Sequence, residues 1–216
     1  MILERNTRFV MIGDSITDCG RNYDAPPAGP SSFGEGYVNL VNACLTGLNP
    51  NARIMVINKG ISGNRITDLK ERWEKDVKAL NPDWVSVMIG VNDAWRHFDN
   101  ILTQAKQVEE EEFTEIYAEL IQKTLAYAKG MILVSPFMLE TNREDPMRKM
   151  IERYGAIGKK MAEKYNLIFV DVQEKMDEFM ESLPNCTLSG DRVHPNVQGH
   201  MIIAKAILDA VGFEWN

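Results

Sequence analysis

The sequence predicts an α/β protein, with a parallel β-sheet covered by helices on both faces in a three-layer α/β/α sandwich. Short, near-continuous apolar runs recur along the chain, and such runs are typical of strands buried on both faces. Longer segments with helical spacing of apolar residues lie between them. This alternation favours a doubly wound sheet, in which ligands bind beyond the carboxyl ends of the strands.

The apolar runs set the predicted strands. They cover Arg8–Ile12, Arg53–Asn58, Trp84–Ile89, Met131–Ser135 and Ile168–Val170. Each run is rich in aliphatic residues and short enough for one strand of a domain core. The sequence therefore predicts five strands, spread over most of the chain.

The segments between these runs predict the helices. Apolar residues at helical spacing mark two of them, at Leu69, Trp73, Val77 and Leu80, and at Phe113, Ile116, Tyr117, Leu120 and Ile121. Asp145 followed by Pro146 is the typical N-cap and first residue of a third helix. A last helix is expected after His194 and Pro195.

Composition limits the classes of function. The 216 residues are 44% hydrophobic and 25% charged, which is the balance of a globular protein, and we expect one domain over residues 1–216. The net charge is −7 and no basic stripe is present. Nucleic acids and anionic membranes are therefore not expected partners. A homo-oligomer is compatible with the sequence, which does not specify the oligomeric state.

Cysteine usage and hydropathy indicate where the protein acts. Cys19, Cys44 and Cys186 are odd in number and lack metal-binding spacing, so a reduced, cytoplasmic chain is the simplest interpretation. The first residues lack the pattern of a secretory signal. No apolar run approaches the roughly 20 residues that a membrane span needs.

Four short stretches each place a reactive or polar group beside a tight turn. They are Gly13–Asp18, Gly60–Asn64, Gly90–Asp93 and Asp191–Pro195. Each falls at the end of a predicted strand or before a helix, so all four can converge on one edge of the sheet. Together they supply a nucleophile, a base, an orienting acid and oxyanion donors, which acyl transfer requires.

The catalytic assignment rests on the first and last stretches. Ser15 follows an apolar strand directly, as a nucleophile at the sheet edge would. Asp191 lies three residues before His194, so its carboxylate can bind one imidazole nitrogen and leave the other to accept the proton of Ser15. Ser15, Asp191 and His194 are the predicted catalytic residues. Ser15 as a helix cap, and Cys19 as a rival nucleophile, remain alternatives.

The two middle stretches supply donors for the oxyanion. Gly63 can turn the chain so that its amide points into a cavity. Asn92 can donate its side-chain amide, which stabilises developing negative charge without disturbing the base. With the Ser15 amide they form the predicted oxyanion hole. Plain turn formation is the alternative for both residues.

The aspartates of these stretches admit a different chemistry. Asp14, Asp18 and Asp93 could form a carboxylate metal site, although local hydrogen bonds that fix loops are the favoured interpretation. The chain has three histidines, His97, His194 and His200, and too few of them are placed for a two-metal cluster. We therefore expect no metal and no organic cofactor.

The four stretches resemble the conserved blocks of the SGNH hydrolases, also called GDSL esterases and lipases. The defining Ser, Gly, Asn and His match Ser15, Gly63, Asn92 and His194, in the right order over nearly the whole chain. The first block reads Gly-Asp-Ser-Ile rather than Gly-Asp-Ser-Leu, which exchanges one apolar residue for another. The resemblance implies a flavodoxin-like sheet of about five parallel strands in the order 2-1-3-4-5.

Further stretches resemble the intracellular bacterial acetylxylan esterases of that superfamily. They include Asn58–Asn64, Asn92–Arg96, Pro136–Phe137, Asp145–Arg148 and Gly212–Trp215. The resemblance implies a serine esterase that removes acetyl groups from xylo-oligosaccharides, with a small carbohydrate ester as its partner. Asp14, Trp95 and Arg96 are the candidate substrate-binding residues, and Trp95 and Arg96 follow Asn92 directly.

Three other functions are compatible with the same fold. A thioesterase or lysophospholipase would use the same triad on another acyl ester, and fold alone does not exclude it. A metal-dependent phosphoesterase would use the aspartates instead. A carbohydrate-binding module would keep the fold without catalysis, although the complete triad and oxyanion set argue against it.

Overall fold

The computed structural model describes residues 1–99 and 106–215. Its centre is a five-stranded parallel sheet with the strand order β2-β1-β3-β4-β5. The strands are β1 (Arg8–Gly13), β2 (Met55–Gly60), β3 (Trp84–Met88), β4 (Gly130–Val134) and β5 (Ile168–Val170). The predicted fold class and strand order are confirmed, and the predicted strand bounds agree to within two residues.

The register of the strands brings their carboxyl ends to one level. Gly13 pairs with Gly60 of β2 and with Met88 of β3, and Met88 pairs in turn with Val134 of β4. The segments that follow these strands therefore leave the sheet along a common edge. The first three predicted site stretches begin at or just after this edge.

Eight α-helices surround the sheet in the described part of the chain. They are α1 (Ser15–Asp18), α2 (Tyr37–Gly47), α3 (Ile66–Asp76), α4 (Val91–Trp95), α5 (Glu110–Leu125), α6 (Pro146–Tyr165), α7 (Val172–Met180) and α8 (Val197–Ala210). Helix α8 contacts α2 and α7, while α5 contacts α3 and α6. These two groups of helices form the outer layers of the sandwich. No helix within the described ranges is long and apolar enough to cross a membrane.

The core lies between the sheet and each helical layer. Phe9, Val10, Met11 and Ile12 of β1 are all fully buried, although successive strand residues point to opposite faces. A strand buried on both faces gives a continuous apolar run, which is why the sequence pattern located β1 correctly.

The helices agree less closely with the sequence pattern. Helix α3 ends at Asp76, and the predicted apolar face continues to Leu80 through a 3₁₀ turn over Lys78–Leu80. Helix α2 was not predicted, although its buried residues Val38, Val41 and Leu45 have helical spacing. The N-cap of α6 is confirmed, since the Asp145 carboxylate accepts the Met147 and Arg148 amides at 2.9 and 3.0 Å.

Candidate active site

The first site stretch is a tight turn from β1 into α1. The Asp14 carboxylate accepts the Ile16 amide at 3.0 Å and caps the four-residue helix that Ser15 begins. Helix α1 packs so closely on the end of β2 that a Cβ atom at Gly60 would lie 2.1 Å from the Asp18 nitrogen. Only glycine fits there, and the close approach fixes Ser15 at the sheet edge.

Ser15, His194 and Asp191 form a continuous chain of hydrogen bonds. The Oγ of Ser15 lies 2.8 Å from Nε2 of His194. The Nδ1 of the same ring lies 2.6 Å from Oδ2 of Asp191. A carboxylate accepts at Nδ1, so that nitrogen carries the proton and Nε2 is free to accept from the serine hydroxyl. The predicted triad residues are thus brought together with the geometry of a nucleophile, base and orienting acid.

The loop around Asp191 holds the carboxylate in its charged form. Its Oδ1 accepts the amides of Val193 and His194 at 2.9 and 2.8 Å, and the Ser189 hydroxyl at 2.9 Å. Burial raises the pKa of Asp191, but the hydrogen bonds from His194, Val193 and Ser189 outweigh it and hold the pKa well below its usual value.

Arg192 lets this loop turn within three residues. Its backbone φ is +69°, which is unusual for a residue other than glycine, and neighbouring groups hold this conformation. Its carbonyl accepts the Leu139 amide at 2.8 Å, and its guanidinium donates to Glu140 at 2.6 Å. The loop that carries His194 is therefore tied to the segment after β4.

The second site stretch is a turn that follows β2 and contains Gly63. Gly63 has a φ of +80°, which favours glycine. The turn is bonded to β1 through the Ile61 amide and the Gly13 carbonyl at 3.1 Å. Its far side is held by Arg72, whose Nε donates to the Asn64 side chain at 2.7 Å. We call residues 61–64 the Gly63 turn.

Asn92 belongs to the same network. It lies in the first turn of α4, directly after β3, and its Nδ2 donates to the Asn64 carbonyl at 3.1 Å. An amide nitrogen carries two protons, and the second has no acceptor among the described residues. The third site stretch is therefore joined to the Gly63 turn, and one amide proton stays available for another acceptor.

A cavity of about 440 Å³ opens beside the triad. Its wall includes Ser15, Cys19, Ser62 and His194. The Trp95 ring lies next to that of His194, with 6.1 Å between ring centres. Arg96 forms an ion pair with Asp99 at 2.6 Å and stacks on Trp95. Trp95 thus lies beside the catalytic base, with Arg96 against its ring.

The prediction that Asp14 binds substrate needs correction. Its side chain is 1% exposed and does not line the cavity, because the carboxylate turns inward to cap α1. Burial raises its pKa to about 7, partly offset by the Ile16 amide and by His194. Asp14 therefore shapes the turn that carries Ser15 and does not face the cavity.

The other aspartates of the site stretches also serve as acceptors for local donors. Asp93 accepts the Ile66 amide at 2.9 Å, and Asp18 accepts the Ser62 amide at 3.2 Å. Within residues 1–99 and 106–215, no three His, Cys, Asp or Glu side chains are grouped to hold a metal ion. Loop fixation, the favoured interpretation of these aspartates, agrees with their contacts.

Sequence reasoning missed Arg72, and it left the partners of Asp18 and His200 unassigned. Asp18 and Arg72 hold the Gly63 turn from two sides, and His200 lies beside Cys19 with its Nε2 3.3 Å from the thiol sulfur. The Tyr37 amide donates to the other ring nitrogen of His200, and burial lowers the pKa of that imidazole to about 4. His200 is a neutral core histidine, and His194 is the base.

The chain belongs to the GDSL-like lipase/acylhydrolase family, whose pattern matches residues 11–202. With the triad geometry, this membership defines the class of protein: a carboxylic ester hydrolase with a Ser-His-Asp triad. The chain is similar to the acetylxylan esterase of Geobacillus stearothermophilus, at 47% identity over 211 residues, which cover 96% of this chain and 95% of the relative.

Solved structures show the same likeness over the whole fold. The crystal structure of Axe2, an acetylxylan esterase from Geobacillus stearothermophilus, has a TM-score of 0.96 at 45% identity and covers 100% of this chain and 98% of Axe2. LAE5, an α/β hydrolase from the metagenome of Lake Arreo, has a TM-score of 0.96 at 40% identity and covers all of both chains. Three further structures are catalytic mutants of Axe2, in which a serine, an aspartate or a histidine is replaced by alanine.

Proposed function

We propose that this enzyme removes acetyl groups from carbohydrates, with acetylated xylo-oligosaccharides as its main substrates. The hydrogen-bonded chain from Ser15 through His194 to Asp191 supports the reaction. The similarity that supports the substrate class is the 47% identity, over 96% of this chain, to an acetylxylan esterase. Neither a thioesterase nor a lysophospholipase is favoured by these relatives.

The reaction begins with attack by Ser15 on the acetyl carbonyl carbon. His194 accepts the hydroxyl proton at Nε2 as the carbon–oxygen bond forms, and Asp191 stabilises the resulting imidazolium through Nδ1. The tetrahedral intermediate then collapses, and His194 returns the proton to the departing sugar oxygen. An acetyl group remains on Ser15, and water activated by His194 releases it as acetate.

The oxyanion forms while the carbonyl carbon is tetrahedral. The Ser15 and Gly63 amides and the Asn92 side chain donate to it, and all three are neutral and held before substrate arrives. The Trp95 ring, beside His194, provides a flat surface for the sugar. No metal or organic cofactor enters these steps.

The same proposal covers the partner, the compartment and the assembly of the enzyme. Its partner is a small carbohydrate ester rather than nucleic acid or a membrane, as the net charge of −7 supports. Three free cysteines support a reducing compartment, the cytoplasm. Assembly as a homo-oligomer belongs to the same proposal.

Acetate release across a panel of acetylated xylo-oligosaccharides, glucose, amino sugars, an acyl thioester and a lysophospholipid tests the substrate class. The xylo-oligosaccharides should give the highest kcat/KM. Ser15→Ala should abolish release without changing the melting temperature, because it removes one oxygen from a folded turn. Cys19→Ser is the matched control, since it changes a neighbouring cavity atom and should keep activity.

Two results would contradict this proposal. Faster turnover of the thioester or lysophospholipid would assign the triad to another acyl substrate. Loss of activity in Cys19→Ser, with turnover retained in Ser15→Ala, would reverse the assignment of the nucleophile.

A further inference from the structure

We propose that Asp18 is a positioning residue that fixes the Gly63 amide relative to Ser15. The inference deepens the proposed function, because it rests on the oxyanion role given there to Gly63. Asp18 lies three residues after Ser15 on the same short helix. A group on that helix that also holds the Gly63 turn links the nucleophile directly to one of its oxyanion donors.

The contacts of Asp18 make that link. Its Oδ2 accepts the Ser62 amide at 3.2 Å and the Ser62 hydroxyl at 3.1 Å, and it also accepts the Tyr23 hydroxyl. Its Oδ1 accepts the Arg21 amide at 3.2 Å. Ser62 directly precedes Gly63, so the carboxylate bonds to the residue that sets the direction of the Gly63 amide.

The placement of Asp18 makes the link stiff. Its side chain is buried, at 4% exposure, while Ser62 and Gly63 are both exposed to solvent. An exposed turn with φ of +80° has few contacts of its own to hold it. The Gly63 turn is instead anchored on both sides of the glycine, by Asp18 at Ser62 and by Arg72 at Asn64.

Such anchoring matters because an oxyanion donor must be aimed before the charge develops. Without the hydrogen bonds between Asp18 and Ser62, the Gly63 amide can point in other directions. The hydrogen bond from this amide to the oxyanion is then weaker in the transition state. The substrate makes that bond only after attack, so the loss falls on kcat rather than on ground-state binding.

Asp18→Asn is the sharpest test. Asparagine keeps the shape of aspartate but has one acceptor oxygen where the carboxylate has two, so either the Ser62 or the Arg21 amide then faces an N–H group. With an acetyl ester, we expect kcat to fall about tenfold and KM to stay within about twofold, a smaller loss than deletion of a donor causes. Ser62→Ala removes only the hydroxyl bond and should lower kcat by about threefold.

Asp24→Asn is the matched control. It makes the same exchange of a carboxylate for an amide, but at an exposed position outside the Gly63 turn. Its kcat should therefore match that of the wild type. Thermal melting of each variant separates a loss of stability from a loss of turnover.

A kcat of Asp18→Asn within about twofold of wild type, or a higher KM with kcat unchanged, overturns the proposal whatever the melting temperature does. If Asp18→Asn does not fold, Ser62→Ala decides, and an unchanged kcat in that variant overturns it. Asn92→Ala, measured alongside, tests the oxyanion assignment separately. A normal kcat in Asn92→Ala alone contradicts the role of Asn92 and leaves that of Asp18 standing.

Discussion

His194 lies between a hydroxyl and a carboxylate, and the order of those two contacts decides what the ring can do. Because Asp191 accepts at Nδ1, the neutral ring presents an unprotonated Nε2 to Ser15. The amides of Val193 and His194 keep Asp191 ionised, so it can balance the positive charge that His194 gains. Residue by residue, the geometry favours proton transfer from the serine to the ring.

The Asn92 side chain is the proposed side-chain donor to the oxyanion. Asn92→Ala should lower kcat by about a hundredfold to a thousandfold, with KM nearly constant, because its amide meets an oxygen that becomes charged only after attack. Steady-state kinetics with an acetyl ester, together with thermal melting, checks this.

In the structure, the Asn92 side chain also donates to the Asn64 carbonyl, so Asn92→Ala removes this bond as well. Asn64→Ala is the comparison variant: it keeps that carbonyl but removes the side chain that anchors the Gly63 turn to Arg72, so its kcat should fall far less than that of Asn92→Ala. A many-fold rise in KM with kcat unchanged would make Asn92 a substrate-binding residue. No change in either would make it structural.

At the scale of elements, the start of helix α6 contributes to the stability of that helix and also contacts the site. Asp145 caps its first turn through two amides, and its other carboxylate oxygen lies 3.4 Å from the Arg192 guanidinium. Arg192 belongs to the loop that positions His194. The start of α6 therefore contacts the loop of the base, more than 40 residues further along the chain.

Asp145→Ala should lower the free energy of unfolding by about 1 kcal/mol, the usual cost of losing an N-cap. Glu144→Ala is the matched control, since its exposed carboxylate pairs with Lys149 at the surface and its loss should change stability by less than about 0.5 kcal/mol. Urea unfolding at neutral pH measures both. Equal effects of the two substitutions would show that the cap contributes nothing.

At the scale of the whole molecule, the acidic groups buried beneath the site affect stability. Asp93 is fully buried, its Oδ2 has no partner within the described residues, and burial raises its pKa to about 7. The folded protein therefore binds a proton that the unfolded chain releases above its ordinary pKa of 3.8. The stability that this proton contributes is complete below pH 3.8 and is lost as the pH rises through 7.

Asp93→Asn keeps the acceptor for Ile66 but cannot titrate. Relative to the wild type, its free energy of unfolding should rise between pH 4 and 7, by at most about 1.4 kcal/mol per pH unit. Urea unfolding at several pH values gives this slope. The prediction concerns the slope and not the difference in stability between the two proteins at any one pH. Asp24→Asn, at an exposed position, should show a flat difference, and the same flat difference for Asp93→Asn would refute the prediction.

Much of this molecule could be predicted from sequence because its signals are local. A parallel strand buried on both faces produces a continuous apolar run, so β1 to β5 were found within two residues. Ser15, and the pair of Asp191 and His194, adjoin strand ends or helix starts, which places them on one edge of the sheet. Asp145 and Pro146 marked the start of α6 for the same local reason.

Tertiary structure decided the features that depend on distant residues. Asp18 and Ser62 are 44 positions apart, and only the packing of α1 against the end of β2 brings them into contact. The burial of Asp14, which the sequence assigned to the substrate, follows from the inward turn of its carboxylate. Local sequence patterns were enough to predict the fold class and the chemistry of the triad. Packing decided which polar groups face the cavity and which support it, because burial and hydrogen bonding depend on neighbours that local patterns do not contain.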